Sequence, residues 1–203
     1  MKKIYIIRHA ESVANIGGRT ERNDTVPLSE KGKEQAVKLV EEIKIVPDLI
    51  VVSSYSRTQE TASPFIKKHS TVPVEIWDIH EFTYLNTEIN NGTTKAERMP
   101  AIKKYWESLN IHHRDGGKAE SFHDFFKRIQ LFLEKLDKRE EKNIVIFSHG
   151  FFIYGLLKYL SESNEDINEI NLVQKFMCDC KEIMMAGEKI PIDNASIHEI
   201  ILD

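Results

Sequence analysis

Four short runs of apolar, β-branched residues constrain this chain most: positions 4–7, 49–53, 74–77 and 144–147. They are too short for ordinary helices and lack polar alternation, so they read as strands buried on both faces. A fifth run, 196–201, alternates and reads as an edge strand. Helical stretches separate them. Residues 28–46 open with Ser29 as an N-cap, place Ala36, Leu39, Val40 and Ile43 on one face, and stop at Pro47. Residues 121–136 carry Ser121 as a cap and Asp124 in the first turn. Phe122, Phe125, Phe126, Ile129, Phe132, Leu133 and Leu136 then recur with a 3.6-residue period. Residues 150–160 are apolar on nearly all sides, as in a helix packed deep against a sheet. Strands alternating with helices predict an α/β fold, a mainly parallel open sheet with helices on both faces.

The stretch 78–119 breaks this rhythm with Asn90-Asn91-Gly92, Pro100 and Asp115-Gly116-Gly117, and a helix is expected near 94–109. It reads as a helical and loop insertion over one end of the sheet, within a single domain spanning 1–203. Between 90 and 118 it holds Lys95, Arg98, Lys103, Lys104, Arg114 and Lys118 against Glu97, Glu107 and Asp115. That local positive balance reads either as a solvated helix face or as a surface toward an anionic small molecule.

Chemistry concentrates where strands end. In open α/β sheets ligands bind beyond the carboxyl ends of the strands. The first strand runs into Arg8-His9-Ala10-Glu11-Ser12 with Asn15 soon after, the second into Ser53-Ser54-Tyr55-Ser56-Arg57-Thr58, and the fourth into Ser148-His149-Gly150. Were these strands parallel neighbours, two arginines and two histidines would meet in one crevice. That set suits a phosphoryl group in transfer, whose charge is spread over its equatorial oxygens. Arginine meets phosphate oxygens bidentately and stays charged. A helix starting at Gly150 adds backbone N–H groups and a positive dipole end. A neutral imidazole there can attack phosphorus, which leaves a proton donor to be found for the departing oxygen.

These segments resemble the histidine phosphatase superfamily, the phosphoglycerate-mutase-like proteins. Arg8-His9-Ala10-Glu11-Ser12 is similar to its opening signature. The likeness continues through Asn15, Leu28-Ser29-Glu30-Lys31-Gly32 with Gln35-Ala36, and residues 54–62. It resumes at Ala119-Glu120-Ser121-Phe122 and Ile146-Phe147-Ser148-His149-Gly150. The resemblance implies His9 as nucleophile and a phosphoryl group bound by Arg8, Arg57 and His149, with Asn15, Ser12 and Gly150 helping to hold it. It implies Glu81, after the third strand, as acid and base, with Glu11 and Asp78 as other carboxylates to consider. A phosphohistidine on His9 and release of inorganic phosphate follow, with no metal and no organic cofactor. Segments typical of phosphoglycerate mutases are absent: Gly18-Arg19-Thr20 and His80-Glu81-Phe82 stand in their places. That favours a phosphatase over a mutase. A catalytically silent module that keeps the pocket for a phosphorylated ligand is the third reading.

The remaining features exclude more than they add. Net charge is −4, so no global basic field points to nucleic acid or an anionic membrane. The apolar start ends at Arg8 and His9, too soon for a signal peptide or a membrane span. Cys178 and Cys180, one residue apart, miss redox and zinc spacings and suit a reducing cytoplasm. His112 and His113 are adjacent, with no carboxylate at ligand spacing, and read as loop rather than metal site. The partner expected is a small phosphomonoester; the sequence is silent on oligomeric state.

Overall fold

The computed structural model describes residues 1–163 and 168–202, apart from the side chains of residues 89 and 90. Its frame is a five-stranded sheet: β1 (Lys2–Arg8), β2 (Leu49–Ser53), β3 (Val74–Trp77), β4 (Asn143–Ser148) and β5 (Ile197–Leu202). The strand order is β3-β2-β4-β1-β5, parallel throughout except for β5, which runs antiparallel to β1 at the edge.

Alternation along the central strands divides the core in two. Ile4, Ile6, Leu49, Val51, Ile144 and Ile146 face α5 (Phe122–Asp137), α6 (Gly150–Glu162) and α7 (Glu169–Met185). Ile7, Ile50, Val52, Val145 and Phe147 face α1 (Glu30–Glu42) and α2 (Ser56–Lys68). Helices therefore cover both faces, as the run of apolar strands requires.

Local signals set the helix starts. Ser29 accepts from the Gly32 N–H at 3.0 Å. Ser121 and Asp124 form a capping box, as do Thr94 and Glu97 at the start of α4 (Lys95–Ser108). Helix ends follow packing instead. α1 stops at Glu42, short of residue 46, because Ile43 turns to extended backbone (φ −75°, ψ 103°) and buries its side chain.

Two expectations need correction. The run 74–77 is not buried on both faces: β3 is an outer strand, with Val74 and Ile76 exposed. Residues 169–185, to which the sequence reading gave no helix, form α7, whose Leu172, Val173, Phe176, Met177 and Cys180 join the larger core. Residues 78–121 add only the short α3 (Thr87–Asn90) and α4. Ile102, Tyr105 and Trp106 of α4 belong to that same core, which seats the segment against α7 at the carboxyl end of the sheet. Among the described residues no helix is long and apolar enough to cross a membrane.

Candidate active site

Strand register brings the motifs together. Arg8 pairs with Ser148 across the parallel β1–β4 ladder, so the next residues, His9 and His149, leave the sheet side by side. Their ring centroids lie 5.2 Å apart. Val52 pairs with Phe147 and Ser53 with Trp77, so β2 and β3 end at the same edge. Arg57 then reaches the site from the first turn of α2, and Glu81 from the chain beyond β3. The ligating atoms of His9, Glu81 and His149 all lie within 4.8 Å of one another.

Hydrogen bonds fix the His9 tautomer. Its Nδ1 lies 2.8 Å from the Ala10 carbonyl, which only accepts, so Nδ1 carries the proton. Nε2 keeps a lone pair and accepts from Arg57 Nε at 3.1 Å. Burial first, then the charges of Arg57 and Arg8, hold the His9 pKa well below the usual histidine range. The ring is therefore neutral and preoriented, with a lone pair on Nε2. His149 is held down in the same way by burial and Arg57, with Nε2 2.9 Å from Ser53 Oγ. Arg8 donates through Nη1 to the Ile192 carbonyl, and Arg57 through Nη1 to Asn23 O at 2.7 Å. Two buried nitrogens, Arg8 Nε and His149 Nδ1, have no partner among the described residues. Buried polar nitrogens left unsatisfied in this way call for an anion or ordered water.

The Glu81 carboxylate accepts from the Phe82 and Phe151 N–H groups at 3.2 and 3.0 Å. The second of these is an unpaired donor in the first turn of α6, so Glu81 sits at the positive end of that helix. Gly150 opens the same turn. A Cβ there would lie 3.4 Å from the Arg8 guanidinium, so the arginine packs directly over the helix start.

The other carboxylates are occupied elsewhere. Glu11 accepts from Ser29 Oγ and Lys31 Nζ at 2.8 and 3.2 Å. Asp78 faces His80 Nε2 at 3.0 Å in a separate, wider groove. Ser12 is buried, and its hydroxyl donates to Asn15 Oδ1 at 2.9 Å. It therefore orients Asn15 rather than reaching the site opening. Asn15 also accepts from Asn194 Nδ2, at 3.1 Å.

A cavity of about 300 Å3 opens above this cluster, lined by Arg8, Asn15, Glu81 and Gly150 among others. His9, Arg57 and His149 are nearly sealed from solvent and do not line it. Its walls combine Tyr84, Ile102 and Phe151 with Lys95, Arg98 and Lys189. Of the basic residues in the 90–118 stretch, Lys95 and Arg98 line this cavity, and Arg114 and Lys118 line the wider groove.

His9, Glu81 and His149 are the one set of three metal-ligating side chains brought together among the described residues. Two guanidinium groups beside it disfavour a dication and favour an anion. Sequence reasoning missed several residues here: Thr61, which accepts from the Ala10 N–H at 3.0 Å, Asn194, which donates to the His9 carbonyl at 3.0 Å, and Arg128. Arg128 had a legible signal. It lies three residues after Phe125 and four before Phe132, on the buried stripe of α5, where a lone arginine is out of place.

Comparisons with known proteins agree with this arrangement. The family model for the histidine phosphatase superfamily (branch 1) matches residues 4–190. The adenosylcobalamin/alpha-ribazole phosphatase of Escherichia coli is 28% identical over 154 residues, covering 72% of this chain and 73% of its own. The 2,3-bisphosphoglycerate-dependent phosphoglycerate mutase 1 of Arabidopsis thaliana is 32% identical over 192 residues, covering 78% of this chain and 58% of that protein. Among solved structures, a mycobacterial glucosyl-3-phosphoglycerate phosphatase with VO3 superposes with a TM-score of 0.63 at 27% identity, covering 79% of this chain and 82% of that one. The chain is an enzyme of the histidine phosphatase superfamily, branch 1.

Proposed function

We propose that this chain hydrolyses small phosphomonoesters through a covalent phosphohistidine on His9. The observation that carries the reading is the neutral His9 ring, its proton held on Nδ1 by the Ala10 carbonyl and its Nε2 lone pair facing Arg57, with the Glu81 carboxylate within 4.8 Å of the ring's ligating nitrogen. In the first step Nε2 attacks phosphorus in line while the bond to the ester oxygen breaks. Glu81, in its protonated form, gives that oxygen its proton. In the second step the Glu81 carboxylate takes a proton from water as the water oxygen attacks the phosphohistidine. Orthophosphate leaves and His9 regains its lone pair.

Arg8, Arg57 and His149 bind the phosphoryl oxygens. The unpartnered Arg8 Nε is a donor an incoming anion would satisfy, and His149 Nδ1 is a second in the tautomer whose Nε2 accepts from Ser53 Oγ. Arg57 Nε has to release His9 Nε2 and turn to the phosphate as substrate enters, which clears the attacking lone pair. Asn15, oriented by Ser12, and the Gly150 backbone complete the cage. The residues of the cage supply all these roles without a metal or an organic cofactor.

Residues 1–203 act as a single domain, and the 78–119 segment walls the cavity that receives the alcohol. Lys95 and Arg98 on that wall suit a leaving group with a further anionic charge. The experiment is rapid-quench trapping with labelled substrate. A base-stable, acid-labile phosphoenzyme is expected, and His9→Ala should abolish labelling and turnover together. Undiminished labelling in His9→Ala would overturn the mechanism.

A further inference from the structure

Glu81 lies in a segment with neither helix nor strand, from Asp78 to Tyr84. A group that must donate a proton to one oxygen and then accept one from another needs tight placement. Irregular backbone does not supply this unaided. Here the segment is gripped by side chains from distant parts of the chain.

Arg128 does most of the gripping. It is 7% exposed, and its guanidinium lies 5.3 Å from the centre of the Phe125 ring and 5.6 Å from that of Phe152. Its Nη1 donates to the His80 carbonyl at 2.8 Å and more weakly to that of Asp78 at 3.4 Å. Its Nε and Nη2 donate to the two carboxylate oxygens of Glu120 at 3.1 and 2.8 Å. Glu120 Oε2 in turn accepts from the Thr83 N–H at 3.0 Å, and the Glu120 N–H donates to the Thr83 carbonyl at 2.9 Å. Glu81 is thus held from both flanks: through His80 on one side and Thr83 on the other.

We propose that Arg128 and Glu120 are positioning residues for Glu81, a clamp that aims its carboxyl group at the ester oxygen. The inference rests on Glu81 being the acid and base of the proposed reaction. Stability alone does not explain the pair. Buried ion pairs give little net stability over well-packed apolar residues, and the aromatic faces around Arg128 would suit an apolar side chain. What an apolar residue could not do is bond the carbonyl before Glu81 and the carboxylate that holds Thr83. Lysine would keep the charge but lacks the planar fork that serves both at once.

The test compares an alkyl phosphomonoester with nitrophenyl phosphate, whose leaving group needs little proton donation. Turnover on both is measured for wild type, Arg128→Met, Arg128→Lys, Glu120→Gln, Glu81→Gln and the double variant Glu81→Gln with Arg128→Met. Circular dichroism gives the folded fraction. Arg128→Met should lose at least about tenfold more activity on the alkyl ester than on the aryl ester. Arg128→Lys should recover part of that difference, and Glu120→Gln should show a smaller shift in the same direction. In the Glu81→Gln background Arg128→Met should leave the ratio where it stands, because the group being aimed is already gone. Equal losses on both esters in Arg128→Met and Glu120→Gln would overturn the clamp, as would an undiminished ratio shift in the Glu81→Gln background. If Arg128→Met fails to fold, Glu120→Gln and Arg128→Lys decide by the same ratio. If Glu81→Gln itself leaves the ratio unchanged, the assignment of Glu81 falls, and the clamp with it.

Discussion

Lowering the pH from 6.5 to 5.0 should weaken the fold through the site histidines themselves. His9 and His149 are both held well below the usual histidine range, burial being the larger cause and Arg57 the next. In the unfolded chain the same rings titrate near the ordinary value of about 6.5. Well above that pH neither state binds the proton, and the histidines contribute no pH dependence. Below it the unfolded chain takes up protons that the native rings refuse, so stability falls until the native rings titrate in turn. Each ring that stays neutral costs about 1.4 kcal/mol per pH unit in that window, or about 2 kcal/mol by pH 5.0. Together the pair costs about 4 kcal/mol, a large share of the roughly 5–15 kcal/mol that holds a typical domain. His69 and His198, also held down by burial, act in the same direction. Carboxylates held low, such as Asp124, protonate in the unfolded chain mainly below this window, which isolates the histidines. Urea unfolding at pH 7.5, 6.5 and 5.0 measures the loss directly. His149→Asn and His9→Asn should each flatten the slope below pH 6.5 by about one proton. A wild-type loss under about 1 kcal/mol between pH 6.5 and 5.0, or equal slopes in wild type and variants, would refute the reasoning.

Two further outcomes follow from the same geometry. Inorganic phosphate and free alcohol should appear at matching rates from any ester turned over; phosphoglycerate isomers interconverting much faster than phosphate is released would instead establish a mutase. Gly32→Ala should destabilise the protein by about 1–3 kcal/mol, read from urea midpoints. The added Cβ would stand 1.9 Å from the Glu11 carbonyl, a clash that only backbone movement can relieve, two residues from His9. An unchanged midpoint would mean that this loop yields freely.

Signals that act over a few residues were legible in the sequence. The caps Ser29 and Ser121 start their helices where side-chain and backbone chemistry place them. The central apolar runs became the core strands, and the polar residues following them lie at their carboxyl ends because chain direction settles that alone. Longer-range outcomes were not legible. The apolar run at 74–77 does not reveal that β3 is an outer strand, since that depends on which neighbours pair with it. The Ser12 hydroxyl could face a ligand or bond Asn15, and only the folded loop selects the second. Arg128 and Glu120 meet the Glu81 segment across some forty residues of chain, a contact that no local pattern encodes. The residue types of the site were thus written in the motifs. Their meeting was decided by the parallel register that sets Arg8 beside Ser148, because only tertiary pairing brings His9 and His149, 140 residues apart in sequence, to 5.2 Å between ring centres.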